Sequence, residues 1–145
     1  MNAELSYALR CCDWDTGEIA LRKVRHDVFV IEQGIPESLE WDADDSRCVH
    51  ALAEDRAGAP IGCARLLADG HIGRVAVLRE WRGRGVGSRL MSALIDEARR
   101  RGWEQVAVNA QLRAMPFYER HGFVATGDDF DEAGIAHRAM VLRLA

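Results

Sequence analysis

Residues 75–91 bring together, in order, the residue types that make a site for an anion. Val75, Ala76, Val77 and Leu78 form a β-branched run, and Arg79, Glu80 and Trp81 make a short polar turn. Arg82-Gly83-Arg84-Gly85-Val86-Gly87-Ser88 follows, and a helical pattern begins at Arg89. The alternating glycines can take left-handed backbone conformations and carry no Cβ, so a ligand can lie directly against the main-chain amides. The helix behind them leaves its first N–H groups without intrahelical partners and turns the positive end of its dipole to the loop, which suits a phosphate or pyrophosphate. Arg82 and Arg84 add charge. A loop of this composition is also an ordinary strand-to-helix turn, so spacing has to discriminate. A P-loop ends in Gly-Lys-Ser/Thr, whereas here Gly87 is followed directly by Ser88; a dinucleotide fingerprint needs G-x-G-x-x-G, which Gly83, Gly85 and Gly87 do not match.

The elements that must hold this loop are legible in outline. Residues 4–12 read as a strand with Leu5, Tyr7, Leu9 and Cys11 on one face. Asp13, Asp15 and Thr16 offer caps for a helix to about Ile31, where Ile19, Val24, Val28 and Ile31 give rough helical spacing, and Gly34 and Pro36 end it. An acidic loop follows, with Glu37, Glu40, Asp42, Asp44 and Asp45 interrupted by Leu39 and Trp41; it is either a solvated segment or one wall of a pocket for a cationic amine. Three strands at 47–54, 60–68 and 71–78 turn at Ala57-Gly58-Ala59-Pro60 and at Asp69-Gly70. The helix after the glycine loop runs from about Gly85 to Arg101, with Leu90, Leu94, Ile95 and Ala98 inward and Gly102 as its stop. Val106, Ala107 and Val108 form a further strand, a short helix spans 114–121 with Pro116 in its first turn, and strands near 123–130 and 137–144 close the chain. No repeat or linker interrupts this, so the expectation is one α/β domain over residues 1–145, built on a mixed, mainly antiparallel sheet.

Composition narrows the partners. The chain has 145 residues, 48% hydrophobic and 29% charged, with a net charge of −4. No run approaches the ~18 apolar residues of a membrane span, and the first six residues lack a basic and apolar leader, so a cytoplasmic protein is expected. Arginines 74, 79, 82, 84, 89, 99, 100 and 101 face only Glu80, Asp96 and Glu97 within 74–101, so the basic character is local. That asymmetry suits a small anionic ligand and not nucleic acid. Arg99, Arg100 and Arg101 are also simply favourable at a helix C-terminus. Cys11, Cys12, Cys48 and Cys63 lack metal-ligand spacing and read as buried thiols, with no metal expected.

Arg82-Gly83-Arg84-Gly85-Val86-Gly87 resembles the acyl-CoA loop, Gln/Arg-x-x-Gly-x-Gly/Ala, of the GNAT family of N-acetyltransferases. A strand ending in Asn109 and the segment Ala114-Met115-Pro116-Phe117-Tyr118-Glu119-Arg120-His121-Gly122-Phe123 resemble that family's A-x-x-F-Y-x-x-x-G-F ending. Residues 28–36, the spacing of Asp42, Asp45 and His50, and Gly134-Ile135-Ala136-His137 are similar to the ElaA-like subgroup. The resemblance thus covers most of the chain and implies the GNAT fold, an α+β arrangement whose central strands splay at the acyl-CoA site.

Acyl transfer from a thioester needs a held CoA, a donor for the carbonyl oxygen, an uncharged amine and a donor for the leaving thiolate. The resemblance implies that loop amides from Arg82 through Gly83, Arg84, Gly85, Val86, Gly87 and Ser88 take the pyrophosphate, and that Val75, Ala76 and Val77 present backbone to the pantetheine. It places Asn109 and Phe117 at the cofactor and Tyr118 toward the sulfur, where a phenol of pKa about 10 can donate a proton or a hydrogen bond. Glu32 is the candidate base, with Gln33 beside it, and either could instead bind the substrate without titrating. His50, Arg65, Arg74, Gln111 and His137 are candidate acceptor contacts, each with a structural alternative: a satisfied core histidine, or an arginine paired with the acidic loop. The expected activity is transfer of acetyl from acetyl-CoA to a primary amine of a small molecule through a ternary complex, with room for a homodimer. The rival is a sensor that binds acyl-CoA and transfers nothing.

Overall fold

A computed structural model describes residues 6–40 and 43–144. Leu5, expected on the first strand, and Trp41 and Asp42 of the acidic loop lie outside those residues. Strands β1 (Tyr7–Cys12), β2 (Val49–Asp55), β3 (Pro60–Leu66) and β4 (Ile72–Val77) form an antiparallel sheet in that order. Strands β5 (Gln105–Gln111), β6 (Val124–Glu132) and β7 (Ile135–Arg143) form a second sheet in the order β5-β7-β6. The sheets meet at one parallel bridge, His71 against Ala107, where the Ala107 amide donates to the Gly70 carbonyl at 3.0 Å. Past that point the described residues show no ladder between β4 and β5, and the strands open into a V. This is the mixed, mainly antiparallel α/β architecture expected.

Helices α1 (Trp14–Arg25) and α3 (Val86–Arg100) cover opposite faces of the first sheet, while α2 (Glu37–Glu40) and α4 (Met115–Arg120) are short. Alternation along β2 shows the division: Ala51 and Ala53 pack with Leu90, Leu94 and Ala98 of α3, and Leu52 packs with Leu21 and Val24 of α1. A strand covered on both faces reads as a continuous apolar run, which is how 47–54 read. Gly62 sets the approach of α3, because a Cβ there would meet Leu90 and Val86 side chains at 3.1 Å.

Of the three caps offered, Asp13 serves α1, taking Thr16 N–H on its Oδ1 at 2.9 Å, while Asp15 and Thr16 lie inside the helix. Its inward face departs from the expected spacing. Gly17, Leu21, Val24 and Val28 face inward, whereas Ile19 is 89% and Ile31 68% exposed. At 100° per residue, positions 17, 21, 24 and 28 share a face and position 19 lies half a turn away. From His26 to Glu32 the helix continues as a π-helix, closed by Gln33 N–H donating to the Val28 carbonyl at 3.0 Å. That wider turn carries Ile31 off the apolar face.

The cysteine reading also needs correction: Cys48 and Cys63 are buried, Cys12 is half-buried and Cys11 is exposed. Cys11 lies near Glu97, Arg100 and Arg101, where the cover given by α3 ends.

Asp45 is no part of an amine pocket. It is 2% exposed, taking Arg25 Nη1 and Arg65 Nη1 at 2.8 Å on one oxygen and Arg25 Nη2 at 3.2 Å on the other. Burial alone would raise its carboxyl, yet the two guanidinium groups bring it below the ordinary 3.8. The folded value is below the unfolded one, so this stabilisation is complete above pH 3.8 and is lost as pH falls through the depressed value. Asp45→Asn removes the anion from between two buried cations and is expected to cost about 3–5 kcal/mol in urea unfolding, with a flattened acid limb.

Candidate active site

β4 carries the geometry that opens the cleft. Cys63 pairs Ala76 and Arg65 pairs Gly73, two steps on β3 against three on β4, so β4 holds one extra residue. Arg74 takes φ +50°, a left-handed conformation that L side chains adopt at a cost, and the strand bulges there. Beyond the bulge, no strand among the described residues pairs with the edge of β4 that faces β5. A cleft of about 980 Å³ occupies the V.

The glycine loop sits at one end. Gly83 and Gly85 have φ +76° and +81°, and Gly85 caps α3 in the left-handed region. A Cβ built on either meets nothing within 4 Å, so the space over the backbone is open. Gly87 packs differently, with Phe117 ring atoms 3.6 Å and Val77 Cγ2 3.7 Å from a built Cβ, an ordinary contact that alanine would also make. Val86 is core at 1% exposure and contributes only backbone. Ser88 Oγ lies 3.1 Å from His121 Nε2. The Arg84 guanidinium rests 4.6 Å over the Trp81 ring, which braces the loop from outside. Open left-handed glycines, the first amides of a 15-residue helix and Arg84 together fit a pyrophosphate. Among the described residues no group of His, Cys, Asp or Glu could hold a metal ion.

Along the cleft the structure gathers most of the sequence candidates. Val75, Ala76 and Val77 of β4, Asn109 and Gln111 of β5, and Arg82, Gly87, Phe117 and Tyr118 line it. Glu32, Gln33, Arg65, Arg74 and His137 line it as well, Arg65 while paired with Asp45. Gly83, Arg84, Gly85, Val86 and Ser88 lie just outside it, in the loop and first turn of α3. His50 does not belong to the site: it is 1% exposed, its Nε2 donates to the Asp45 carbonyl at 2.9 Å, and its ring lies 5.3 Å from Trp14. Burial lowers its pKa and keeps it a neutral core histidine.

Tyr118 is 9% exposed and wedged edge-on against Phe117 and Phe123 at 5.1 and 5.8 Å. Desolvation pushes its phenol up to about 12. It therefore stays protonated at neutral pH, a permanent donor. A proton passed from such a phenol to a thiolate of ordinary pKa, about 8.5, would go uphill by about 5 kcal/mol. The geometry thus favours a hydrogen bond that stabilises a thiolate over complete transfer.

Glu32, the candidate base, is placed in a setting that suits an anion. Arg82 Nη1 and Nη2 meet its two oxygens at 2.6 and 2.7 Å, and Arg79 approaches at 3.7 Å. The Arg82 hydrogen bonds hold its carboxyl below the ordinary range, which opposes a proton-accepting role. Across the cleft, Gln111 Nε2 donates to Gln33 Oε1 at 3.5 Å. His137 donates from Nδ1 to the Ile135 carbonyl at 2.7 Å and stacks on Phe130.

Sequence reasoning missed the apolar part of the lining: Val28, Phe29, Ile35 and Ile135 also face the cleft. Phe29 reaches it from the π-helical segment, whose changed period leaves no mark in a 3.6-residue pattern. His71 and Arg113, also lining, were equally silent.

A family model described as an acetyltransferase (GNAT) domain matches residues 18–144. The chain belongs to the GNAT family. Its relatives include an uncharacterised N-acetyltransferase of Bacillus subtilis, YjcF, 37% identical over 81% of this chain and 86% of that one. Among solved structures, an acyl-CoA N-acyltransferase from Pseudomonas aeruginosa superposes with a TM-score of 0.84 at 32% identity, covering 94% of this chain and 99% of that one. Escherichia coli ElaA does so with a TM-score of 0.81 at 28% identity, covering 93% and 98%. These similarities bear out the GNAT resemblance with its ElaA-like character, and they make the chain an N-acetyltransferase enzyme of the acyl-CoA-dependent type. Among the described residues no helix of this GNAT domain is long and apolar enough to cross a membrane.

Proposed function

We propose that this chain transfers acetyl from acetyl-CoA to the primary amine of a small molecule by direct attack in a ternary complex. The observation that carries the reading is the V between β4 and β5, which opens the two ends of the glycine loop, Arg82 and Gly87, with β4 residues 75–77 and Tyr118 onto one cleft. Acyl-CoA supplies an activated carbonyl with a thiol leaving group. Amides 83–88 and Arg84 hold the pyrophosphate; the β4 edge from Val75 to Val77 and the side chain of Asn109 hold the pantetheine arm. A backbone N–H near Val77 faces the carbonyl oxygen as negative charge develops there. The Tyr118 hydroxyl stabilises the departing sulfur. Phe29, Ile35 and Ile135 give the acceptor an apolar wall, Gln33, Gln111 and His137 orient its amine, and Arg74 is placed for a carboxylate or phosphate on it, while Arg65 is held by Asp45. The ammonium sheds one proton to water in the open cleft; the neutral amine attacks the carbonyl carbon and the C–S bond breaks, and the second proton lost by the attacking nitrogen reaches the thiolate through cleft water, giving an amide and CoA-SH.

A thermal-shift comparison tests the cofactor half of this reading. Acetyl-CoA at 100 times its Kd should add about 2.7 kcal/mol of stability, with ATP and NAD adding none. Stabilisation by ATP or NAD and not by CoA would refute it.

A further inference from the structure

We infer that Glu32 and Arg82 are a positioning pair that fixes the acceptor wall to the cofactor loop, an inference that rests on CoA binding at residues 83–88. Arg82 begins that loop. Its Nε donates to the carbonyl of Val77, the last residue of β4, at 2.9 Å, while its two terminal nitrogens take both oxygens of Glu32. One planar guanidinium therefore touches the end of the cofactor strand, the start of the glycine loop and the end of the π-helical segment. That segment carries Val28 and Phe29 into the cleft, and Gln33 follows it.

The pair is half-exposed, with side chains 41% and 26% accessible, so its contribution to overall stability is small. Its value is orientational, because a bidentate fork accepts a carboxylate in only one plane. A π-helical turn has weaker internal geometry than an α-helical one and gains from an external tie. When a ligand orders the glycine loop, Arg82 is set, and through it Glu32 and the acceptor wall. Glu32 thereby acts through Arg82 and not on the substrate proton.

Hydrogen exchange reads this directly, with CoA as the probe. In the wild type, saturating CoA should protect amides 83–88 and also slow exchange over 26–33. Glu32→Gln removes the charge, and Arg82→Lys keeps the charge but loses the fork. Each should retain protection at 83–88 and lose it at 26–33, with CoA Kd raised about two- to fivefold. The double variant should bind no more weakly than the worse single one. Protection of 26–33 that persists in both variants overturns the pairing, as does wild-type protection confined to 83–88. Absence of any wild-type protection at 83–88 is a different failure, that of the cofactor assignment itself.

Discussion

Tyr118→Phe is expected to lower kcat by about 10²–10³-fold, the usual cost of removing one preorganised donor, with acetyl-CoA affinity little changed. The hydroxyl is the only group lost, and the ring keeps its edge-on contacts with Phe117 and Phe123. The pH profile carries a second, sharper expectation. An exposed phenol would deprotonate near pH 10 and the rate would fall there; the Tyr118 phenol, raised to about 12 by burial, stays a donor through pH 10. The wild-type rate should therefore rise as the amine deprotonates, with no alkaline fall up to pH 10. If Tyr118→Phe retains full kcat with chemistry limiting, the residue is a core ring.

Gly85→Asp is expected to abolish measurable CoA binding and leave the fold intact. The new carboxylate would stand in the open space over the loop amides, opposing an anion at the N-terminus of α3. Gly58→Asp is a matched control. Gly58 also has a left-handed φ, +85° against +81°, and also has nothing within 4 Å of a built Cβ. Both substitutions carry the same backbone strain, so a difference in CoA affinity, read by calorimetry, reports the ligand and not the turn. Equal affinity in the two variants would move the cofactor away from the loop.

The parts of this molecule that could be read from sequence are those written in contiguous residues. The glycine loop, the inner face of α3, the Asp13 cap and the 114–123 segment each carry their signal within about 15 residues, and the structure has them as read. What could not be read depends on partners far away in the chain. Asp45 looked like loop acid until Arg25 and Arg65 closed on it from two other elements. His50 looked available until Trp14 covered it. Glu32 sits fifty positions from Arg82, and no local pattern links them. The bulge at Arg74 and the π-helical turn at His26–Glu32 each insert one residue into a regular period, which shifts side chains between faces without altering composition.

Release of CoA-SH measures directly whether acetyl leaves CoA for an amine. A panel of amino sugars, polyamines, amino acids and lysine peptides is incubated with acetyl-CoA and the wild-type chain, and thiol is followed with a chromogenic reagent. A no-amine blank subtracts the four native cysteines, of which Cys11 is exposed. The expected result is amine-dependent release, matched mole for mole by acetylated amine and absent in Gly85→Asp. Tight binding of acetyl-CoA with no release above the blank for any amine would contradict acetyl transfer and make the chain an acyl-CoA sensor.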